Sequence, residues 1–265
     1  VSQRELPEGR LYSPTTVRHA ILLAHGMHEA GIDDPRMINF ARALAGAGYL
    51  VLTPRMEGLQ RYQLIAADVR RIRDTARTLA VLAQREQVIV FGISFGGGLA
   101  IRAVCEGAPA VERVIALGAH QDAERVSRFY LDQPAPAPDG SPALVEPHPY
   151  GRVALWMSLF GEKHRGSFTP EERTRALAGV ESTHDVLAAA SPSHCPGPLT
   201  VPLYLVHGSG DRVVPYTETL WNEQQFSPQV HVRTLISPAI VHAEYDPPDL
   251  GERLSLIAFV VEGLW

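Results

Sequence analysis

Short apolar runs alternate with segments of helical period along this 265-residue chain, and that alternation restricts the fold more than any other feature. "HAILLAHG" (19–26), "YLVLTP" (49–54), "QVIVFG" (87–92) and "RVIALG" (113–118) read as buried strands. Between them, "DDPRMINFARALAGAG" (33–48) and "YQLIAADVRRIRDTARTLAVLA" (62–83) read as helices, the second with Val69, Ile72, Ala76, Leu79 and Leu82 on one face. Asp33 or Asp34 is placed to cap the first helix, with Pro35 in its first turn and Gly46 or Gly48 at its end. Strand and helix in strict alternation, joined by short turns, require a mostly parallel sheet covered on both faces. The fold class is α/β, doubly wound.

From about Gln121 to Thr200 the rhythm breaks. "LDQPAPAPDGSPALVEPHPYG" (131–151) carries too many prolines for a strand or a helix interior. Thr169-Pro170-Glu171-Glu172 has the form of a capping box and opens a helix running to about Ala190. A stretch of this length exceeds an ordinary connection, so residues 121–200 are expected to form an inserted helical cap or lid. Residues 1–120 and 201–265 are expected to form the core. In the latter, "PLYLVHGSGDRVVP" (202–215) and "VHVRTLI" (230–236) restore the strand pattern, and "LGERLSLIAFVVEGL" (250–264) supplies a closing amphipathic helix.

Composition narrows the function classes. With 45% hydrophobic and 20% charged residues and a net charge of -5, the chain suits one globular core and lacks the basic footprint of a nucleic-acid or anionic-membrane binder. It has neither the ~18-residue apolar run of a membrane-spanning helix nor a secretory signal. The expectation is a soluble, cytoplasmic protein, while Val1 in first position leaves room for a removed leader or anchor. Cys105 and Cys195 lie far apart, without CxxC or Cys/His spacing, and read as two reduced, structural thiols. His28, His120, His148, His164, His184 and His194 lack the i, i+4 spacing of a helical zinc site, so no metal or other cofactor is implied.

The chemistry begins in "VIVFGISFGGGLAIRA" (88–103), where Gly92-Ile93-Ser94-Phe95-Gly96 matches G-x-S-x-G between a strand and a Gly-rich helix. That spacing makes a sharp turn that lifts the serine hydroxyl above the sheet. The following helix aims its first amides, that of Phe95 above all, at charge forming near Ser94. A lone serine needs a base, held by a third group. Asp211, just past the strand "LYLV", and His242, past the next strand, fall on the same sheet edge. Asp122 is a rival acid, but it stands where the insertion opens. His207 reads as a residue that orients the Asp211 loop. Gly97 and Gly98 read as close-packing positions, since no G-x-x-x-x-G-K-[ST] is present. Phe129, Tyr130, Trp156 and Phe160 fit either an acyl pocket or a core for the insertion.

The elbow around Ser94 and the order Ser94, Asp211, His242 resemble the α/β-hydrolase-fold serine hydrolases, near the compact dienelactone-hydrolase-like and serine-aminopeptidase-like branches. The resemblance spans nearly the whole chain outside the insertion. It implies a nucleophile (Ser94), an acid (Asp211) and a base (His242), with Gly92 and Gly96 supporting the elbow. That family also places a His-Gly after an early strand, here His25-Gly26. The match assigns the oxyanion hole to the amides of Met27 and Phe95. Met follows the His-Gly where lipases carry further glycines, and only a short edge precedes His25. The implied activity is hydrolysis of a small-molecule carboxylic ester with a fairly uncharged acyl group. An amidase, peptidase, thioesterase or acyltransferase would use the same residues, and a non-catalytic scaffold that binds a ligand or partner is the reading from another class.

Overall fold

The computed structural model describes residues 1–143, 145–241, 244–245, 259 and 262–264. The elements follow in chain order. Strands β1 (Ser2–Leu6), β2 (Gly9–Ser13) and β3 (His19–Ala24) lead to helix α1 (Pro35–Gly46) and strand β4 (Tyr49–Pro54). The short helix α2 (Glu57–Gln60) and the long α3 (Ala66–Ala83) precede β5 (Val88–Ile93), α4 (Phe95–Cys105) and β6 (Val111–Leu117). Helices α5 (Ala123–Phe129), α6 (Pro149–Phe160), α7 (Pro170–Ser182) and α8 (His184–Ala189) occupy the connection to β7 (Leu203–Gly208). Helix α9 (Thr217–Phe226) and strand β8 (Val232–Ser237) follow.

The main sheet has eight strands in the order β1-β2-β4-β3-β5-β6-β7-β8. All pairs from β4 to β8 are parallel, while β1–β2 and β2–β4 are antiparallel. The doubly wound, mostly parallel sheet expected from the alternation is therefore present. The edge before His25 is short yet holds two full strands, turned tightly with Leu6 opposite Gly9.

Strand periodicity divides the core. Leu22, Leu52 and Val90 face the side covered by α3 and α4. Their neighbours Ile21, Leu23, Val51 and Ile89 face the side covered by α1. In α3 the spacing Val69, Ile72, Ala76, Leu79 is fully buried, whereas Leu82 is turned partly outward. Asp34 is the residue that caps α1, its Oδ1 accepting from the Arg36 amide at 2.8 Å, and Pro35 follows at the first helical position. Asp33 instead pairs with Arg10. Of the closing helix expected over 250–264, Phe259 and Leu264 are described and are buried on the α1 side; most of that segment lies outside the described residues.

The β6–β7 connection corrects two expectations. The helix opened at Thr169 has its full capping box but stops at Ser182, so a second helix, α8, covers the stretch toward Ala190. At the break, Thr183 turns its hydroxyl onto the Gly179 and Val180 carbonyls (2.9 and 3.1 Å), which its own amide also meets. More important, Cys105 and Cys195 are not free thiols; they form a disulfide with Cα atoms 5.5 Å apart. Sequence separation concealed it. Helix α4 runs away from Ser94, and its far end meets the turn Pro192–His194, whose neighbouring carbonyls at Ser191 and His194 are gripped by Arg102. Bonds of this kind persist in oxidising surroundings.

The connection is also tied at its start. The buried Glu218 carboxylate accepts from the Gln121 and Asp122 amides, both at 2.8 Å, and from Arg125 Nε at 2.5 Å. The Arg125 guanidinium lies over the Trp221 ring. Among the described residues no helix is long and apolar enough to cross a membrane.

Candidate active site

Ser94 is the single residue between β5 and α4, with φ 54° and ψ −128°. Side chains rarely adopt that backbone, so the surroundings must enforce it. Its amide donates to the Leu117 carbonyl at 2.7 Å, and its own carbonyl accepts from the Gly97 amide at 2.9 Å. The flanking glycines allow the close approach. A β-carbon on Gly92 would lie 2.5 Å from the Gly97 Cα, and one on Gly96 would lie 2.2 Å from the His25 carbonyl oxygen. Behind the turn, the buried His120 ring packs on Phe95 and fills the space that a side chain at position 98 would need. Burial pushes His120 down to about pH 4, so it stays neutral.

The stretch after β3 approaches from the side. A β-carbon on Gly26 would come within 3.2 Å of the Ser94 β-carbon. His25 is buried and acts on backbone alone: Nδ1–H donates to the Gly26 carbonyl at 2.8 Å, and Nε2 accepts from the Met56 amide at 3.3 Å. Burial lowers its pKa to about 4, which keeps Nε2 free to accept.

Asp211 follows β7 and is fully buried. Its Oδ1 accepts from the amides of Val213 (2.8 Å) and Val214 (3.0 Å). Its Oδ2 lies 3.3 Å from His207 Nε2, which also donates to the Val214 carbonyl at 2.9 Å. The Thr219 hydroxyl meets His207 Nδ1 at 2.7 Å. His207 thus staples the Asp211 loop onto β7 and α9. The rival, Asp122, is spent elsewhere: Oδ1 caps α5, and Oδ2 accepts from Ser193. His242 lies outside the described residues. The chain leading toward it runs against the acid loop, with the Ser209 amide donating to the Ser237 carbonyl at 3.0 Å. There Gly208 packs so closely on Ile240 that a β-carbon would sit 1.9 Å from its carbonyl oxygen.

Ser94, only 5% exposed, opens into a cavity of about 590 Å³. His25, Gly26 and Met27 line one side and Arg212 and Val213 another, so the serine, the His-Gly loop and the acid loop meet in one place. Met37, Phe40, Ile93 and Leu117 supply apolar wall. His148 and Tyr150, at the start of α6, close the space, a contribution the sequence reading missed. The only signal there is the helix start itself, His148-Pro149, which says nothing of what the helix touches. Phe129, Tyr130, Trp156 and Phe160 do not line the cavity. Trp156 packs on Phe160, His164 and Phe168, with Arg175 over the Phe160 ring at 4.0 Å, so these aromatics serve as core for the connection.

Residues 21–244 match a family model described as the alpha/beta hydrolase family. Among solved structures, dienelactone hydrolase from Anabaena variabilis has a TM-score of 0.55 at 18% identity, over 97% of this chain and 89% of that one. Est1E from Butyrivibrio proteoclasticus gives 0.56 at 15%, over 99% and 98%. An acylaminoacyl peptidase from Pyrococcus horikoshii gives 0.61 at 14%, over 98% of this chain but 41% of that longer protein. At such identities the likeness is one of fold. Among curated proteins none matches this sequence.

Proposed function

This chain belongs to the alpha/beta hydrolase family, and on that premise we propose that it is a serine hydrolase cleaving carboxylic esters through Ser94, His242 and Asp211. The observation that carries the reading is the strained Ser94 backbone: φ 54° at a strand–helix turn, with the side chain facing a cavity shared by the His-Gly loop and the acid loop. Ser94 Oγ attacks the acyl carbonyl while His242 takes its proton. Asp211 holds the imidazole's tautomer and stabilises the imidazolium. The Met27 and Phe95 amides receive the oxyanion. His242 then protonates the leaving group, and water repeats the sequence on the acyl-enzyme. The apolar walls at Met37, Phe40, Leu117 and Val213, beside Asp34, Arg36 and Arg212 in the same lining, support a small-molecule ester of small or medium size with a fairly uncharged acyl group. Residues 121–200 act as the cap over this site, which the presence of His148 and Tyr150 in the cavity wall supports.

Intact-mass analysis after fluorophosphonate treatment tests the reading. The wild type is expected to gain one adduct and Ser94→Ala none. A wild type that stays unlabelled, or an adduct that survives Ser94→Ala, would sink it.

A further inference from the structure

Residues 146–150 touch both loops that border Ser94. The Tyr150 hydroxyl donates to the Met27 carbonyl. The His148 amide donates to the Arg212 carbonyl at 2.7 Å, and Arg212 Nε returns a bond to the Glu146 carbonyl at 3.0 Å. One short stretch therefore straps the residue after Gly26 to the residue after Asp211.

We propose that Tyr150 is a positioning residue for the oxyanion hole: by holding the Met27 carbonyl it fixes the Met27 α-carbon, and with it the place from which the preceding Met27 amide reaches the acyl oxygen. This rests on the reading of the Met27 and Phe95 amides given above. The N-terminal side of Met27 is fixed by the His25 ring on the Gly26 carbonyl. The C-terminal side has no strand or helix before the turn Gly31–Asp33. Gly26 adds backbone freedom next door. From His28 onward the segment is tied by the Gly31 amide to the His28 carbonyl at 3.0 Å and by the Ala30 amide to His28 Nδ1 at 3.2 Å, and the Tyr150 bond adds the hold on the Met27 carbonyl itself. It also keeps a carbonyl dipole turned away from a place where negative charge develops, where it would oppose the amides. A tyrosine suits the task, because its rigid ring carries a donor far from its own backbone with two side-chain torsions to fix. Burial pushes its phenol well above the ordinary range, so the donor stays protonated wherever the enzyme works.

Tyr150→Phe keeps the ring and removes only the donor. The experiment compares kcat and KM for an oxygen ester and for the matching thionoester, whose sulfur accepts hydrogen bonds weakly. For Tyr150→Phe, kcat on the oxygen ester is expected to fall by about 10- to 100-fold with KM nearly unchanged, as for a small misplacement of a catalytic group. The oxygen-to-sulfur rate ratio is expected to shrink with it. Tyr130→Phe, which removes a buried hydroxyl of the same connection that has no hydrogen-bond partner among the described residues, is expected to retain the wild-type ratio. An unchanged kcat in Tyr150→Phe would overturn the proposal. So would equal losses on both esters, or a Tyr130→Phe variant that behaves the same way. A wild type that itself shows no preference for oxygen would instead overturn the assignment of the hole.

Discussion

Ser94→Ala is expected to lower kcat on an ester by roughly 10⁶-fold, and Asp211→Asn by roughly 10⁴-fold, the losses typical of a nucleophile and of its orienting acid. The difference follows from the two sites. On the proposed mechanism, alanine removes the attacking atom. Asparagine can still accept from the Val213 and Val214 amides, so the loop after β7 keeps its main anchors. What it loses is the negative charge that, on the proposed mechanism, fixes the base and stabilises its imidazolium. Asparagine's amino group would also face the His207 Nε2–H at the place of Oδ2, one donor against another. A thermal melt must therefore accompany the kinetics and show a folded variant. Ser94→Ala/Asp211→Asn is expected to be no slower than Ser94→Ala alone, since groups acting as a unit do not lose activity additively. A further drop in the double variant would mean that the two residues act separately, and the triad would be wrong.

The second large effect concerns stability. Cys105 and Cys195 close a loop of 90 residues that contains all of α5 to α8. On a chain-entropy account, closing such a loop removes about 4.6 kcal/mol of freedom from the unfolded chain, and measured losses on removing a native bridge run from about 2 to 5 kcal/mol. Cys105→Ser/Cys195→Ser is expected to lose about 3 kcal/mol, which lowers Tm by roughly 6 to 12 °C in a chain of this size. Reductant should bring the wild type down to the same Tm and leave the double variant where it was. A wild-type Tm indifferent to reductant would show that the bridge contributes nothing. Because Glu218 and Arg102 hold the ends of the connection independently, activity is expected to survive at temperatures below the new transition.

The features legible in the sequence are those whose cause lies within a few residues. The strand at 88–93 announces itself by an unbroken apolar run, the face of α3 by its spacing, and the elbow by two glycines around Ser94. The Asp211 position was readable because the strand before it fixes which sheet edge the loop reaches. Contacts between distant segments had no such signature. Tyr150 and Met27 are 123 positions apart, and the half-cystines 90. Nothing in a period of 2 or 3.6 residues encodes either pairing. The aromatic residues of α6 were ambiguous for the same reason: a ring that packs on His164 and a ring that lines a cavity need the same amino acid. The break at Thr183, within a run that reads as one helix, had no sequence signal either.

The backbone at Ser94 also sets evolutionary economy against function. A residue held at φ 54°, ψ −128° costs the native state of order 1 to 3 kcal/mol, and glycine would relieve most of it. Ser94→Gly is therefore expected to melt higher than the wild type while being inert. Selection for foldability alone would erase this serine in a single substitution. On the proposed mechanism, a serine at this strained strand–helix turn exchanges thermal robustness for reactivity.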